Sequence, residues 1–287
     1  MRGILRRGVG LSAVLISAEE LRDRLAGTGS RIRLLDVRWA LGDPDGPQHY
    51  LDGHIPGAVF VDLETELAAP PSPARGRHPL PDVSHLQKCA RSWGLSQGDT
   101  VVAYDATGGM AAARAWWLLR WAGLGEVHIL DGGLQAWERA GGTIIAGDEP
   151  DPEVGDVVLT SGKLPVVDAD TASGWKGLLL DARAGERYRG EIEPIDPRAG
   201  HIPGAVSAPT AENLTAEGYF KQVDELRSRF TGFGEGPVAV YCGSGVTAAH
   251  QVAALAAAGI DAALYPGSWS QWSNDPKRPV ATGPDPA

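Results

Sequence analysis

The chain has 287 residues, and 36 Asp and Glu against 26 Lys and Arg leave a net charge of -10. Such acidity argues against nucleic acid or an anionic membrane as a partner, since either needs a basic face, and no run approaches the roughly 18 apolar residues of a membrane span. Two cysteines, Cys89 and Cys242, allow one disulfide at most, exclude a Cys-rich zinc site and fit a reducing, cytoplasmic setting.

At the N-terminus Arg2, Arg6 and Arg7 precede a short apolar stretch at 9–16, a faint outline of a signal or transit peptide. A capping box at Ser17 and Glu20, with Leu21 and Leu25 at helical spacing, argues instead that this stretch leads into the first helix of a folded domain. Apolar runs at 32–35, 101–104 and 127–130, bounded by Gly, Asp or Pro, predict buried parallel strands. Segments 84–93, 111–121 and 134–140 predict helices between and after them. Residues 148–174, rich in Asp, Pro and Gly around an apolar run at 164–167, read as a linker. Strands at 238–241 and 262–265 and helices at 223–230 and 247–258 follow.

The second half repeats the first. Leu34-Leu35-Asp36-Val37-Arg38 answers Leu179-Leu180-Asp181-Ala182-Arg183, and Gly53-His54-Ile55-Pro56-Gly57-Ala58-Val59 recurs identically at 200–206. Residues 101–105 answer 238–242, and Leu130-Asp131-Gly132-Gly133 through Trp137 answers Tyr265-Pro266-Gly267-Ser268 through Trp272. Offsets of 145, 147, 137 and 135 residues mark a duplicated domain with loop insertions, placed at 12–147 and 175–287. Alternating strands and helices imply an α/β fold, each copy an open, mostly parallel sheet with helices on both faces. Ligands bind such sheets beyond the carboxyl ends of strands, where Asp105 and Cys242 fall.

Cys242 opens Gly243-Ser244-Gly245-Val246-Thr247, which runs into an Ala-rich helix. Two glycines let the backbone curl so that several N–H groups point at one centre, and the helix adds its positive end. Both favour a thiolate, which makes Cys242 a nucleophile. Cys89, mid-helix in His85-Leu86-Gln87-Lys88-Cys89-Ala90, lacks this setting and reads as packing.

The repeated Asp-x-Arg and Gly-His-Ile-Pro-Gly-Ala segments, with the Cys–loop–helix, resemble a two-domain rhodanese-type sulfurtransferase over nearly the whole chain. The resemblance implies tandem rhodanese-like domains, a silent N-terminal copy with Asp105 at the Cys position, and a C-terminal copy in which Cys242 carries sulfur as a persulfide. It implies a small sulfur donor, an acceptor that is cyanide, a small thiol or a protein dithiol, and no cofactor or metal. The loop wording is similar to the 3-mercaptopyruvate branch. The thiosulfate branch, kept as the alternative, places basic residues where Gly243 and Ser244 supply no charge. Related phosphatases need an Arg six residues after the Cys to clamp phosphate; here Ala248 stands there. A non-catalytic sulfur carrier or redox sensor is the reading from a different class.

The remaining site residues follow from the same resemblance. Anion contacts fall to the loop backbone at Gly243, Gly245, Val246 and Thr247. Arg187 matches the substrate-carboxylate Arg; its other reading is pairing with a nearby carboxylate. The second Arg of the mercaptopyruvate branch is missing from Glu193-Pro194-Ile195, and Arg198 is the substitute. A Ser–His–acid relay falls on Ser244, His78 and Glu64, with Asp62 as the alternative acid. His54, His201, Asp36 and Asp181, present in both copies, read as scaffold. Trp116, Trp117 and Trp121 read as helix and interdomain core, with Arg114 beside them. Trp269 and Trp272 belong to a C-terminal motif that carries Gln271 where relatives more often have an acid.

Overall fold

The computed structural model describes residues 14–27, 29 and 31–286; Arg2, Arg6, Arg7 and residues 9–13 of the apolar stretch lie outside them. β1 (Leu15–Ile16) comes first, and Ser17 then caps the helix Ala18–Ala26 by accepting the Glu20 N–H at 3.1 Å. Only half of the expected box forms, because the Glu20 side chain pairs with Arg24.

Five strands build the first sheet: β1, β2 (Ile32–Asp36), β3 (Ala58–Phe60), β4 (Thr100–Tyr104) and β5 (Val127–Leu130), in the order β1-β5-β4-β2-β3. The second holds β6 (Leu178–Asp181), β7 (Ala205–Ser207), β8 (Val238–Tyr241) and β9 (Ala262–Leu264), in the order β7-β6-β8-β9. All pairings are parallel, with Asp36 level with Tyr104 and Asp181 level with Tyr241. Every residue of β4 and of β8 is buried, as expected of parallel strands covered on both faces.

The repeated motifs act as staples. Arg38 bonds Asp36 and also donates to the Gly53 carbonyl; Arg183 does the same with Asp181 and Gly200. The following His rings stack on Tyr50 and Tyr188 at 3.9 and 3.8 Å, and each donates from Nδ1 to the carbonyl of that tyrosine. Each copy thereby ties the turn before β3 or β7 to the end of its neighbouring strand.

The stretch 148–174 is divided between the halves. Gly155, Val157 and Thr160 donate backbone N–H groups to carbonyls of Arg91, Leu95 and Ala122 in the first half. Val166 then pairs in parallel with Leu264, extending the second sheet as β1 extends the first. The helices Ala112–Trp121 and Val246–Ala257 pack on each other within a core cluster shared by both halves. Alanines at both surfaces let the axes approach closely. That contact sets the Cys242 loop against the first half.

Candidate active site

β8 delivers Cys242 to the mouth of the cleft, and the helix Val246–Ala257 begins just after it. Gly245 turns the chain at φ +85°, and a Cβ there would lie 2.5 Å from the Pro266 carbonyl oxygen, so both conformation and space demand glycine. Its N–H donates to Cys242 Sγ at 3.1 Å. The neighbouring loop pins the turn from behind. Trp269 and Ser270 N–H groups donate to the carbonyls of Cys242 and Gly243 at 2.9 and 2.8 Å, and the Cys242 N–H donates to Ser268 Oγ. Ser268 holds φ +53°, alone among the described non-glycine residues in the left-handed region, and is fixed there by its bond to the Tyr265 carbonyl. Cys242 itself is buried, 1% exposed. The cleft in front of it measures about 510 Å³ and is lined by Trp39, Arg77 and Met110 from the first half, and by Arg187, Gly243, Ser244, Val246 and Thr247 from the second.

Ser244, His78 and Glu64 form a continuous chain. His78 Nδ1 lies 2.7 Å from Ser244 Oγ, and Nε2 lies 3.0 and 3.1 Å from the Glu64 carboxylate oxygens. Burial lowers the His78 pKa below the ordinary histidine range; Glu64 pulls the other way and does not win. The ring is therefore neutral at pH 7. With a carboxylate at Nε2 the proton sits there, so Nδ1 accepts from the Ser244 hydroxyl. Asp62, the alternative acid, is occupied: it caps the helix Leu63–Glu66 by accepting from Glu64 N–H and Thr65 Oγ1. Trp39 was not singled out from the sequence. It donates its indole N–H to Glu64 at 2.7 Å and sets its ring edge against His78.

Arg114 holds the two loops together. Fully buried, it donates to the carbonyls of Leu67, His78, Pro79 and Gly245. Burial lowers its guanidinium to about 10, with Cys242 opposing the shift, so it remains a cation at neutral pH.

The arginines differ from expectation. Arg187 lines the cleft, and its Nε and Nη2 already meet Glu193, with Asp196 at 3.3 Å from Nη2. Arg198 does not reach the cleft. Its three nitrogens donate to the carbonyls of Trp272, Ser273, Asp275 and Arg278, and an arginine caged by the C-terminal segment cannot substitute for a substrate contact. Arg77, which the sequence presented only as a neighbour of His78, lines the cleft beside Arg183 and Arg187.

The matching loop of the first half is closed on itself. The Asp105 carboxylate accepts N–H groups from Thr107, Gly109, Ala111 and Ala112 at 2.8–3.0 Å. Cys89 is packed in its helix, and burial raises its thiol to about 11. A hollow of about 550 Å³ on the outer side of Trp39 and Glu64, lined by Arg38, Asp43 and Phe60 among others, contains no thiol.

Comparison with known proteins agrees with this architecture. The rhodanese-like domain profile matches residues 17–140 and 167–275. A Mycobacterium tuberculosis protein, provisionally named a thiosulfate sulfurtransferase, is 48% identical over 278 residues, covering 94% of this chain and 97% of that protein. A Pseudomonas aeruginosa protein, provisionally named a 3-mercaptopyruvate sulfurtransferase, is also 48% identical, over 284 residues, covering 95% and 99%. The crystal structure of SseA from Escherichia coli, described among the 3-mercaptopyruvate sulfotransferases, superposes with a TM-score of 0.77 at 35% identity, covering 89% of this chain and 98% of that one.

Proposed function

Given that the chain belongs to the rhodanese family and is a sulfurtransferase, we propose that 3-mercaptopyruvate is its donor and that Cys242 carries the sulfur as a persulfide. The chain Ser244–His78–Glu64 beside the thiol carries this reading. Cleaving mercaptopyruvate expels an enolate that needs a proton at carbon, whereas thiosulfate expels sulfite, which needs none in that step. Identity does not separate the donors, because two relatives at 48% carry different donor names.

In the first step the Cys242 thiolate attacks the donor sulfur. An S–S bond forms, the C–S bond breaks, and its electron pair leaves as the pyruvate enolate. The Ser244 hydroxyl passes its proton to His78 Nδ1 as it takes up the one released by the donor thiol, and the relay then runs back, Ser244 delivering that proton to the enolate carbon. The step closes without an outside acid, leaving a Cys242 persulfide and pyruvate. An acceptor thiolate or cyanide then attacks the terminal sulfur, and the Cys242 thiolate departs. Loop N–H groups from Gly243 to Thr247 and the start of the helix face the anionic sulfur, and Arg187 meets the donor carboxylate. The reducing, cytoplasmic setting read from the composition suits a free thiolate.

Side-by-side kcat/KM values for the two donors test this reading, with mercaptopyruvate expected to be preferred. Donor treatment should add one sulfur to the peptide containing Cys242, and Cys242→Ser should abolish turnover. Arg187→Lys should lower mercaptopyruvate kcat/KM by about tenfold or more, because a point charge cannot reproduce the planar fork. Arg189, exposed and paired with Glu191, should tolerate the same change. A preference for thiosulfate would overturn the donor assignment, and single-turnover behaviour with both donors would favour a sulfur carrier.

A further inference from the structure

Two guanidinium groups from opposite halves converge on the residue after the nucleophile. A Cβ built on Gly243 would lie 3.0 Å from Arg77 Nη2 and 3.5 Å from Arg187 Nη1. Arg77 arrives from the first half, its backbone N–H bonded to Ser270 Oγ at 3.1 Å. Its Nη1 meets Asp196 Oδ1, while its Nε is buried and has no partner among the described residues. Asp196 stands between the cations, with Oδ2 3.3 Å from Arg187 Nη2. With that N–H unpaired, Asp196 alone leaves the Arg77 fork short of a partner.

We propose that Arg77 is the second donor-binding cation, taking over from the arginine missing at Glu193-Pro194-Ile195, and that Asp196 is a placeholder carboxylate which the carboxylate of an α-keto acid donor displaces. The inference rests on the keto-acid reading of the site. The ion pairs support it: Asp196 is shared by Arg77 and Arg187, and Glu193 by Arg183 and Arg187, so a carboxylate that takes the place of Asp196 meets two cations already arranged around a carboxylate. A side chain at position 243 would be tight against Arg77 and in contact with Arg187, so glycine leaves both forks their place.

The test uses full-length Arg77→Gln, Arg77→Lys, Asp196→Asn and Arg187→Gln proteins, with pyruvate as a non-reacting α-keto acid probe. Arg77→Gln should raise the mercaptopyruvate KM and the pyruvate Ki together by about tenfold, the loss of one charge-assisted bond, with kcat within about twofold. Arg77→Lys should fall between it and the unmodified protein. Asp196→Asn should tighten pyruvate and raise relative activity toward thiosulfate. If Arg77→Gln lowers Tm while KM and Ki stay put, Arg77 is only a tether between the halves and the inference falls. If Arg187→Gln also leaves mercaptopyruvate KM unchanged, the keto-acid reading falls with it. Should Arg77→Gln fail to fold, an unchanged pyruvate Ki in Asp196→Asn overturns the placeholder role.

Discussion

At Asp105 and Cys242 similar strand–loop–helix geometry meets side chains with opposite consequences. Four N–H donors close on the Asp105 carboxylate, so the first half carries a built-in anion in its own cradle. In the second half the cradle opens on a cleft, and the thiol is backed by Ser244 and His78. A thiol alone would not transfer the function, because the proton chain and the cleft belong to the other loop. Asp105→Cys in a Cys242→Ser background is therefore expected to turn over neither donor; sulfur transfer by that protein would show the relay to be dispensable. Glu64 acts through His78. It opposes the burial that lowers the histidine pKa, so Glu64→Gln should lower that pKa further and move the acid limb of the pH–rate profile to lower pH. It should also release the Nε2–H tautomer that lets Nδ1 accept from Ser244, lowering kcat with mercaptopyruvate by roughly ten- to a hundredfold. An acid limb that moves upward, or stays in place, would place Glu64 outside the proton chain.

Among the elements, the C-terminal segment shows most directly what one side chain can hold. Arg198 gathers the carbonyls of Trp272, Ser273, Asp275 and Arg278, and its own carbonyl accepts the Trp269 indole N–H. Arg198→Ala should cost about 3 kcal/mol, as several partly buried acceptors lose a charged donor, while leaving KM for the donor unchanged; denaturant titration and steady-state kinetics separate the two effects. That arginine was misread because its partners lie some 75 positions on, and nothing in local spacing announces a carbonyl cage. Arg77 was missed for the same reason: only the packing of the halves brings it over Gly243. The central strands were legible, since β4 and β8 are continuous apolar runs bounded by turn residues. The short strands β1, β3 and β7 were not, because they have two or three residues each, too few to display a period, whereas β9, equally short, stood out as an apolar run between Asp261 and Pro266. Ser244, His78 and Glu64 were reached through family resemblance, and only the fold puts them in contact.

Across the whole molecule the cleft exists because two halves stay closed on each other, and His250 lies in that contact. It sits on the helix that follows the Cys242 loop, accepts from the Thr210 hydroxyl at Nδ1 and donates from Nε2 to the Gly108 carbonyl in the first half, with Phe220 stacked on its ring. Both nitrogens are satisfied in the neutral form. Burial lowers its pKa to about 4, with the Gly108 bond opposing the shift. An unfolded chain takes up this proton near the ordinary value of about 6.5. As pH falls below that value the unfolded state binds a proton that the folded state refuses, so stability is complete above it and declines toward pH 4. From pH 7 to pH 5 the loss from this one site is about 2 kcal/mol. His250→Gln removes the titration while keeping a polar side chain, and Phe at the same place removes it with an aromatic ring in the stack. Either variant should show a smaller drop in unfolding free energy between pH 7 and pH 5 than the unmodified protein. The acid loss should disappear most clearly in probes of the interface, such as the fluorescence of Trp116 and Trp117 in the shared core. If both variants lose as much stability in acid as the parent, the halves are held against acid by groups other than His250.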